Sequence, residues 1–343
     1  MAQQQAVIEQ PTAPAYRSRS DRPTPVRWAL AFLSFFKDKP LGGFGALLII
    51  LMISVAFLAP VIQRYDPNQI FETPNPAFDP AIAARAEVDP NVKLLYPAEK
   101  YTRGGIIGPE APSAAHWFGT DKYGRDLYSQ VVHGAQLSML VGIGSALIAV
   151  ISGLFFGMIS AYFGGWIDML IQRATDALLA FPALILLLLF VQVVKQPNKY
   201  YITLALGIVG ISQVVRIVRS SVLTARQEQY VLAGQVIGAS DTRIMIRHIL
   251  PNIMAPTIVI FTISIGAYIL AEASLSFIGL GDPVAISWGK MLNQGRTLVT
   301  KPWLSVIPGA AIMLAVLGFN LAGDALRDVL DPRLRGRGGN AGF

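Results

Sequence analysis

The sequence predicts an all-α polytopic membrane protein with six transmembrane helices, and three observations support that fold class. Of the 343 residues, 53% are hydrophobic and only 14% are charged, whereas a soluble domain typically carries about 25% charged residues. The mean hydropathy is +0.50. Six stretches lack charged residues over lengths that suit a crossing of roughly 30 Å of hydrocarbon. This composition argues against a water-soluble enzyme and against a disordered chain.

Residues 1–40 are predicted to form a cytoplasmic tail and an interfacial helix. Trp28, Phe32, Phe35 and Phe36 recur at helical spacing between basic residues, as in a helix that lies in the membrane surface. The tail lacks a short apolar core followed by a small-residue cleavage site, so no removable signal peptide is expected. The first span, residues 41–63, is therefore expected to stay as an anchor.

The charge-free stretches define the six predicted spans. They lie between Lys39 and Arg64, Asp126 and Asp168, Asp176 and Lys195, Lys199 and Arg216, His248 and Glu272, and Lys301 and Asp324. The second stretch holds 41 residues, too many for one span, so its helix is placed at about Leu137 to Tyr162. The part through Gln136 is expected outside the bilayer or at its interface. The fourth stretch holds only 16 residues, so Arg216 must extend toward the interface.

Gly153, Gly157 and Ala161 recur at every fourth position of the second span. Such a stripe of small residues lets another helix backbone approach closely. The partner helix lies either within this chain, which is the favoured alternative, or in another subunit.

Basic residues predict that both termini are cytoplasmic. In that orientation the inner segments carry 16 Lys and Arg and the two short outer loops carry 5, as the positive-inside rule requires. The long outer segment, residues 64–136, contains eight prolines between Pro67 and Pro112. It is either a small external lobe or a segment that orders when a partner covers it. Residues 137–323 then form a core domain with the other five spans, and residues 324–343 form a cytoplasmic tail.

The inner loop over residues 216–251 has the composition of two short helices that meet at a glycine turn near Gly238 and stop at Pro251. Five arginines make it basic, and Val231, Ile237 and Ile244 are among the residues that give it apolar faces. Those faces either fold back on the membrane surface or dock onto a protein.

The stretch from Ala233 through Gly238 to Leu250 and Pro251 resembles the EAA loop of ABC-importer permeases. Three positions depart from the family pattern: Leu232 stands in place of the glutamate, Gly234 in place of the second alanine and His248 in place of the isoleucine. Because the glutamate is missing at position 232, no acidic side chain is expected to contribute to docking there.

Four further stretches are similar to the dipeptide and oligopeptide branch of these permeases, the DppC/OppC family. They are HWFGTDKYGRDLYSQVVHGAQLS from His116, AYFGGWIDMLIQRATDALLAFPAL from Ala161, SLSFIGLG from Ser274 and NLAGDALRDVLDPRLR from Asn320. The resemblance covers residues 116–335. The external stretch from about Glu72 to Pro112 is longer than the family needs and is interpreted as an insertion.

The resemblance implies a type I ABC-importer permease fold in a bacterial or archaeal plasma (inner) membrane. It implies a second homologous permease, two ATP-binding cassette ATPase subunits and an extracytoplasmic solute-binding protein as partners. It further implies that the chain is not an enzyme and holds no cofactor, since the partner ATPases bind ATP and Mg. The implied substrates are di- or oligopeptides, with nickel or another small solute as the alternative. The implied ATPase-coupling residues are Ala233, Gly234, Gly238, Ala239, Ser240, Asp241, Leu250 and Pro251.

The residues themselves show no nucleotide-binding motif. Gly289 and Lys290 are followed by Met291 and lack the upstream glycine of a phosphate-binding loop. The three histidines are far apart in the sequence and the chain has no cysteine, which excludes a disulfide and predicts no metal site. The positive net charge is explained by membrane topology, so nucleic acid is not an expected partner.

Three further residues are candidates for contact with substrate or with the binding protein. Glu272 lies near the outer end of the fifth span, where an acid belongs either to a substrate path or to the water interface. Asp121 and Trp288 are candidate contacts for the binding protein, although such residues also anchor membrane interfaces. Two other classes of protein remain: an ion-coupled secondary transporter, which normally buries several ionisable residues, and a membrane scaffold.

Overall fold

The computed structural model describes residues 39–74, 77–97, 100, 104–106, 108–194 and 197–330. The predicted interfacial helix, with Trp28 and Phe32, lies outside the described residues, as does most of the predicted C-terminal tail. In chain order the elements are α1 (Pro40–Ile62), β1 (Glu72–Pro74), α2 (Pro80–Val88), α3 (Pro90–Leu95), β2 (Gly104–Ile106), α4 (Leu127–Phe163), α5 (Gly165–Leu179), α6 (Ala183–Val193), α7 (Lys199–Arg226), α8 (Gln229–Val236), α9 (Asp241–Ile244), a π-helical turn (Met245–Ile249), α10 (Leu250–Phe277), α11 (Trp288–Gly295) and α12 (Trp303–Leu330).

Within the described ranges, five helices are long and apolar enough to cross a membrane: α1, α4, α7, the run from α9 through α10, and α12. A sixth crossing is present if the bent pair α5 and α6 counts as one span. The all-α membrane fold is thus confirmed. The second predicted span is longer than expected, because its helix begins at Leu127, where the Asp126 carboxylate caps it by accepting a hydrogen bond from the Ser129 amide.

The third predicted span is not one straight helix. The axes of α5 and α6 differ by 87°, and the break falls immediately before Pro182, which has no N–H for the helix and clashes with the preceding turn. Helix α6 has 11 residues, so it rises only about 16 Å, too little for a bilayer on its own. The bend in this span therefore falls at Pro182.

The fourth predicted span is longer than its charge-free stretch because its arginines are paired. Helix α7 continues through Arg216 and Arg219 to Arg226. Arg216 binds Asp176 at 2.6 Å and Arg219 binds Asp168 at 2.6 Å, and both acids lie on α5. Paired charges are far cheaper to keep at the edge of a bilayer than single ones.

The stripe of small residues on α4 packs against α7 of the same chain. A Cβ added to Gly157 would lie 2.9 Å from the Cβ of Val218, and one added to Gly153 would lie 2.5 Å from that of Val214. The favoured alternative, close packing within this subunit, is confirmed.

Contacts at the helix ends fix the order of the bundle. At one end Lys39 Nζ binds Asp328 Oδ2 at 2.7 Å, which joins the start of α1 to the end of α12. At the other end the Tyr65 amide, just after α1, donates to Ser129 Oγ on α4 at 3.1 Å. The start of α1 therefore lies at the same end of the bundle as the end of α4.

The segment between α1 and α4 forms a small lobe in its described part. Strands β1 and β2 pair antiparallel, with Thr73 opposite Gly105. Asp79 and Asp89 cap α2 and α3, each through a side chain that accepts a backbone N–H at 2.8 Å. This local order agrees with the first of the two alternatives for the segment.

Candidate coupling site

The candidate site is the segment between α7 and α10, which we call the coupling segment, residues 227–251. The predicted pair of short helices is confirmed as α8 and α9, joined at Gly238. Two expectations are corrected. The first part of the predicted loop, from Arg216 to Arg226, belongs to α7, and the helix does not stop at Pro251, which lies in the first turn of α10.

Gly238 ends α8 in a Schellman motif. Its φ is +76°, and the Ala239 amide donates to the Gly234 carbonyl at 3.0 Å while the Gly238 amide donates to the Gln235 carbonyl at 3.0 Å. This arrangement satisfies carbonyls that the helix end leaves free. Among the described residues no atom lies within 4 Å of the position of a Gly238 Cβ. The left-handed backbone, and not close packing, is thus the reason for glycine.

The π-helical turn lets Pro251 sit within a continuous helix. The Leu250 amide donates to the Met245 carbonyl, five residues earlier. A proline inside a regular helix leaves a carbonyl unpaired and collides with the turn before it. The wider turn, a typical local adjustment of helices, accommodates the ring, so α9 passes without interruption into α10.

The coupling segment has an anchored inner face and an exposed apolar tip. Val231, Ile244 and Ile249 are fully buried in a cluster with residues of α4, α7 and α10. At the tip, beside Gly238, Val236 is 87% exposed and Ile237 is 80% exposed. A large apolar pair presented on a fixed support is typical of a protein-binding surface.

The predicted coupling residues divide by exposure. Ala233, Gly238, Ser240, Asp241 and Pro251 are exposed, Ala239 and Leu250 are half-buried, and Gly234 is buried. A Cβ on Gly234 would lie 3.8 Å from Ile244 Cγ1, an ordinary contact, so the alanine that the EAA pattern has there would fit.

A tyrosine that the sequence did not single out joins the coupling segment to the bundle. Tyr162, near the end of α4, donates its hydroxyl to Asp241 Oδ1 at 2.7 Å. The Arg226 guanidinium lies 5.8 Å from the centre of the Tyr162 ring. On α8, burial raises the pKa of Tyr230, and the Glu228 carboxylate raises it further, so that phenol stays neutral at physiological pH.

Glu272 lies inside the fold and not at the water interface. It is 1% exposed, and its Oε1 accepts hydrogen bonds from Ser276 Oγ at 2.7 Å and from Ser287 Oγ at 2.8 Å. Ser287 caps α11 through the Gly289 amide. Glu272 thus ties α10 to the start of α11, and its Oε2 has no hydrogen-bond partner among the described residues.

Asp121 and Trp288 are buried, which corrects the expectation that their side chains offer an exposed contact. Asp121 accepts from both Nε and a terminal nitrogen of Arg125, at 2.8 and 2.6 Å, and from Gln130. Trp288 Nε1 donates to the Val131 carbonyl at 2.8 Å. Both residues lie at the end of the bundle where α4 begins, and they hold the loops there in place. Trp117, Tyr123 and Val284 are among the large exposed side chains at this end.

Lys290 lies on the same helix as Trp288. Its ammonium donates to the Pro283 carbonyl. Burial lowers the pKa of Lys290, and the nearby Arg125 lowers it further, while Asp282 acts in the opposite direction.

The model of the family described as "Binding-protein-dependent transport system inner membrane component" matches residues 153–336. The chain belongs to this family. The matched region begins within α4 and contains the whole coupling segment and every later helix. As a member of the family, with its long apolar helices, the chain is a multi-pass inner-membrane protein and a transport permease component.

Curated relatives extend the similarity over most of the chain. The dipeptide transport system permease protein DppC of Alkalihalophilus pseudofirmus is 37% identical over 310 residues, 90% of each chain. The glutathione transport system permease protein GsiD of Pectobacterium atrosepticum is 35% identical over 326 residues, 94% of this chain and 96% of the relative. The oligopeptide transport system permease protein OppC of Bacillus subtilis is 36% identical over 310 residues, 90% of each chain. The DppC/OppC resemblance is thereby confirmed.

Proposed function

We propose that this chain is one of two homologous permease subunits of an ATP-driven importer of short peptides. The observation that carries the proposal is the coupling segment, whose buried inner face fixes an exposed apolar tip, Val236 and Ile237, to the bundle. Two partner ATPase subunits bind ATP and Mg, and an extracytoplasmic binding protein delivers the peptide. The chain itself performs no covalent chemistry.

The geometry suits docking onto a moving partner. Burial of an exposed valine and an exposed isoleucine stabilises a contact by roughly 1.5–3 kcal/mol for each side chain. The tip sits on a helix end that the Schellman motif closes and that Val231 anchors. A partner that moves the tip therefore displaces a rigid unit, as in rigid-body switching.

The order of the bundle supports an orientation in which the start of α1 and the end of α12 both face the cytoplasm. The end of α4, the coupling segment and the pair Lys39–Asp328 share one end of the bundle. Docking to cytoplasmic ATPases places that end inside, and the lobe with α2 and α3 outside. The excess of basic residues in the predicted inner segments agrees with this orientation.

The names of the relatives support peptides as the substrate class. They specify dipeptide, glutathione and oligopeptide transport, and all three substrates contain amide-linked amino acids. They therefore favour peptides over nickel.

Gly238→Val and Gly234→Ala form a matched test of the proposal. Valine is strained at the positive φ of Gly238, so Gly238→Val should abolish peptide uptake and reduce recovery of the ATPases with the purified complex. Gly234→Ala, which meets only ordinary contacts, should leave both near wild type. Mass spectrometry of the purified complex, uptake of labelled dialanine and glutathione, and an ATPase assay measure these effects. Normal uptake by Gly238→Val, or recovery of the wild-type chain without any ATPase, would contradict the proposal.

A further inference from the structure

Tyr162 connects the coupling segment to α4, a helix of 37 residues. The hydroxyl donates to Asp241 Oδ1 at 2.7 Å, and Asp241 is the first residue of α9, just beyond the turn at Gly238. The two residues are separated by 79 positions in the chain. The bond thus joins two elements that the chain does not connect directly.

The Tyr162 ring is held firmly, so its hydroxyl has a fixed position. The side chain is 5% exposed and belongs to the buried cluster that contains Val222 of α7, Val231 of α8 and Ile244 of α9. The Arg226 guanidinium donates to the Ala161 carbonyl at 3.4 Å. Movement of the Asp241 carboxylate therefore acts on a side chain that has little freedom to yield.

The same turn of α4 is tied to two further helices. Ser160, two residues before Tyr162, hydrogen-bonds the Asp168 carboxylate of α5. Asp168 accepts two hydrogen bonds from Arg219 of α7, at 2.7 and 2.6 Å. Such a bidentate pair fixes orientation as well as distance. The end of α4 is therefore the point at which α5, α7 and α9 are joined by polar contacts.

Helix α4 reaches from this point to the opposite side of the bundle. Its 37 residues span about 55 Å. Near its first turn the Val131 carbonyl accepts the Trp288 indole N–H of α11. A displacement applied at Tyr162 is thus carried by one continuous helix to the outer loops.

We propose that Tyr162 is the positioning residue through which the coupling segment moves α4. When the ATPases displace the coupling segment, the Tyr162–Asp241 hydrogen bond carries α4 with it. The inference rests on the proposed function and assigns the mechanical link within it. Tyr162 touches neither peptide nor nucleotide; it acts by holding Asp241 in register with α4.

Removal of the single hydroxyl tests this role. In proteoliposomes of the full complex with its binding protein, Tyr162→Phe should leave assembly and basal ATP hydrolysis unchanged. It should lower the number of labelled dialanine or glutathione molecules transported per ATP about tenfold, the effect of losing one hydrogen bond to a charged group. Asp241→Ala should act similarly, whereas Asp241→Asn keeps an acceptor oxygen and should restore most of the ratio. Tyr200→Phe is the control, since Tyr200 is 64% exposed at the far end of α7.

A double-mutant cycle separates a link from two independent effects. If the bond is the link, Tyr162→Phe with Asp241→Ala should be no worse than either single variant. Losses that multiply, or an unchanged transport ratio in Tyr162→Phe, would overturn the inference.

A distance measurement between the two ends of the bundle tests the inference independently of transport. The natural chain contains no cysteine, so paired spin labels on the exposed positions Gln227 and Trp117 report on the two ends of the bundle. ATP should change their distance in the wild type and change it by less than half as much in Tyr162→Phe. Equal changes in both would overturn the inference alone. ATP hydrolysis by the wild type with no transport of either peptide would instead contradict the proposed substrate class.

Discussion

At the residue scale, Glu272 accepts both of its hydrogen bonds through one carboxylate oxygen. Its Oε1 accepts both Ser276 and Ser287, and a glutamine oxygen can accept the same two bonds. Glu272→Gln should therefore keep thermal stability and peptide uptake near wild type. Glu272→Leu leaves two buried hydroxyls without their acceptor, at a cost of about 1–3 kcal/mol for each, and should lower the unfolding temperature and the uptake together.

Thermal unfolding of the purified complex and uptake of labelled peptide check the Glu272 pair. A Glu272→Gln variant that folds normally but no longer transports would show that the carboxylate charge serves the substrate path.

At the residue scale, sequence reasoning succeeds where the determinant is local. Gly238 is predictable because a turn between two short helices demands a left-handed residue, and its φ of +76° agrees. The Tyr162–Asp241 bond is not predictable, because nothing in either neighbourhood specifies a partner 79 residues away. The burial of Trp288 is unpredictable for the same reason. A tryptophan near a membrane surface is typical of an interfacial anchor, but the fold buries this one.

At the element scale, substitutions at two glycines test the close packing of α4 on α7. A Cβ on Gly157 would lie 2.9 Å from both the Val215 carbonyl oxygen and Val218 Cβ, whereas one on Gly309 meets only Leu292 Cδ2 at 3.8 Å. Gly157→Ala should destabilise the chain by about 1–3 kcal/mol through overpacking. Gly309→Ala should be neutral or stabilising by up to about 1 kcal/mol, since alanine is the better helix former.

The unfolding temperatures of the two variants in the same detergent decide the comparison. Equal unfolding temperatures, or greater loss in Gly309→Ala, would contradict the packing of α4 on α7.

Charge-free stretches predict helices well where charges mark the helix ends and poorly where charges are paired or a proline intervenes. Helix α7 exceeds its stretch because Asp176 and Asp168 pair with its arginines. The third stretch becomes a bent pair because of Pro182. Pro251 differs in the opposite way. A proline predicts a helix end, but a π-helical turn accommodates Pro251 within a continuous helix. Each difference depends on a contact or backbone adjustment that hydropathy does not encode.

At the scale of the whole molecule, the coupling segment and a set of polar contacts between helices lie together at one end of the bundle. Polar contacts at that end join α1 to α12, α4 to α9, and α5 to α7, and the apolar tip projects from it. At the opposite end, buried Asp121, Glu272 and Trp288 hold the neighbouring loops against the bundle. This division fits a subunit that receives force at one face and shapes a passage at the other.

The central claim, that the coupling segment docks onto an ATPase, is tested most directly by site-specific photo-cross-linking at Ile237 in native membranes. Ile237 is 80% exposed, and Val284, 87% exposed at the opposite end, is the matched control. We predict that a photoreactive residue at position 237 forms an adduct with an ATPase subunit and that one at position 284 does not. Adducts with lipid alone at position 237 would show that the tip lies on the membrane surface, and would contradict the claim.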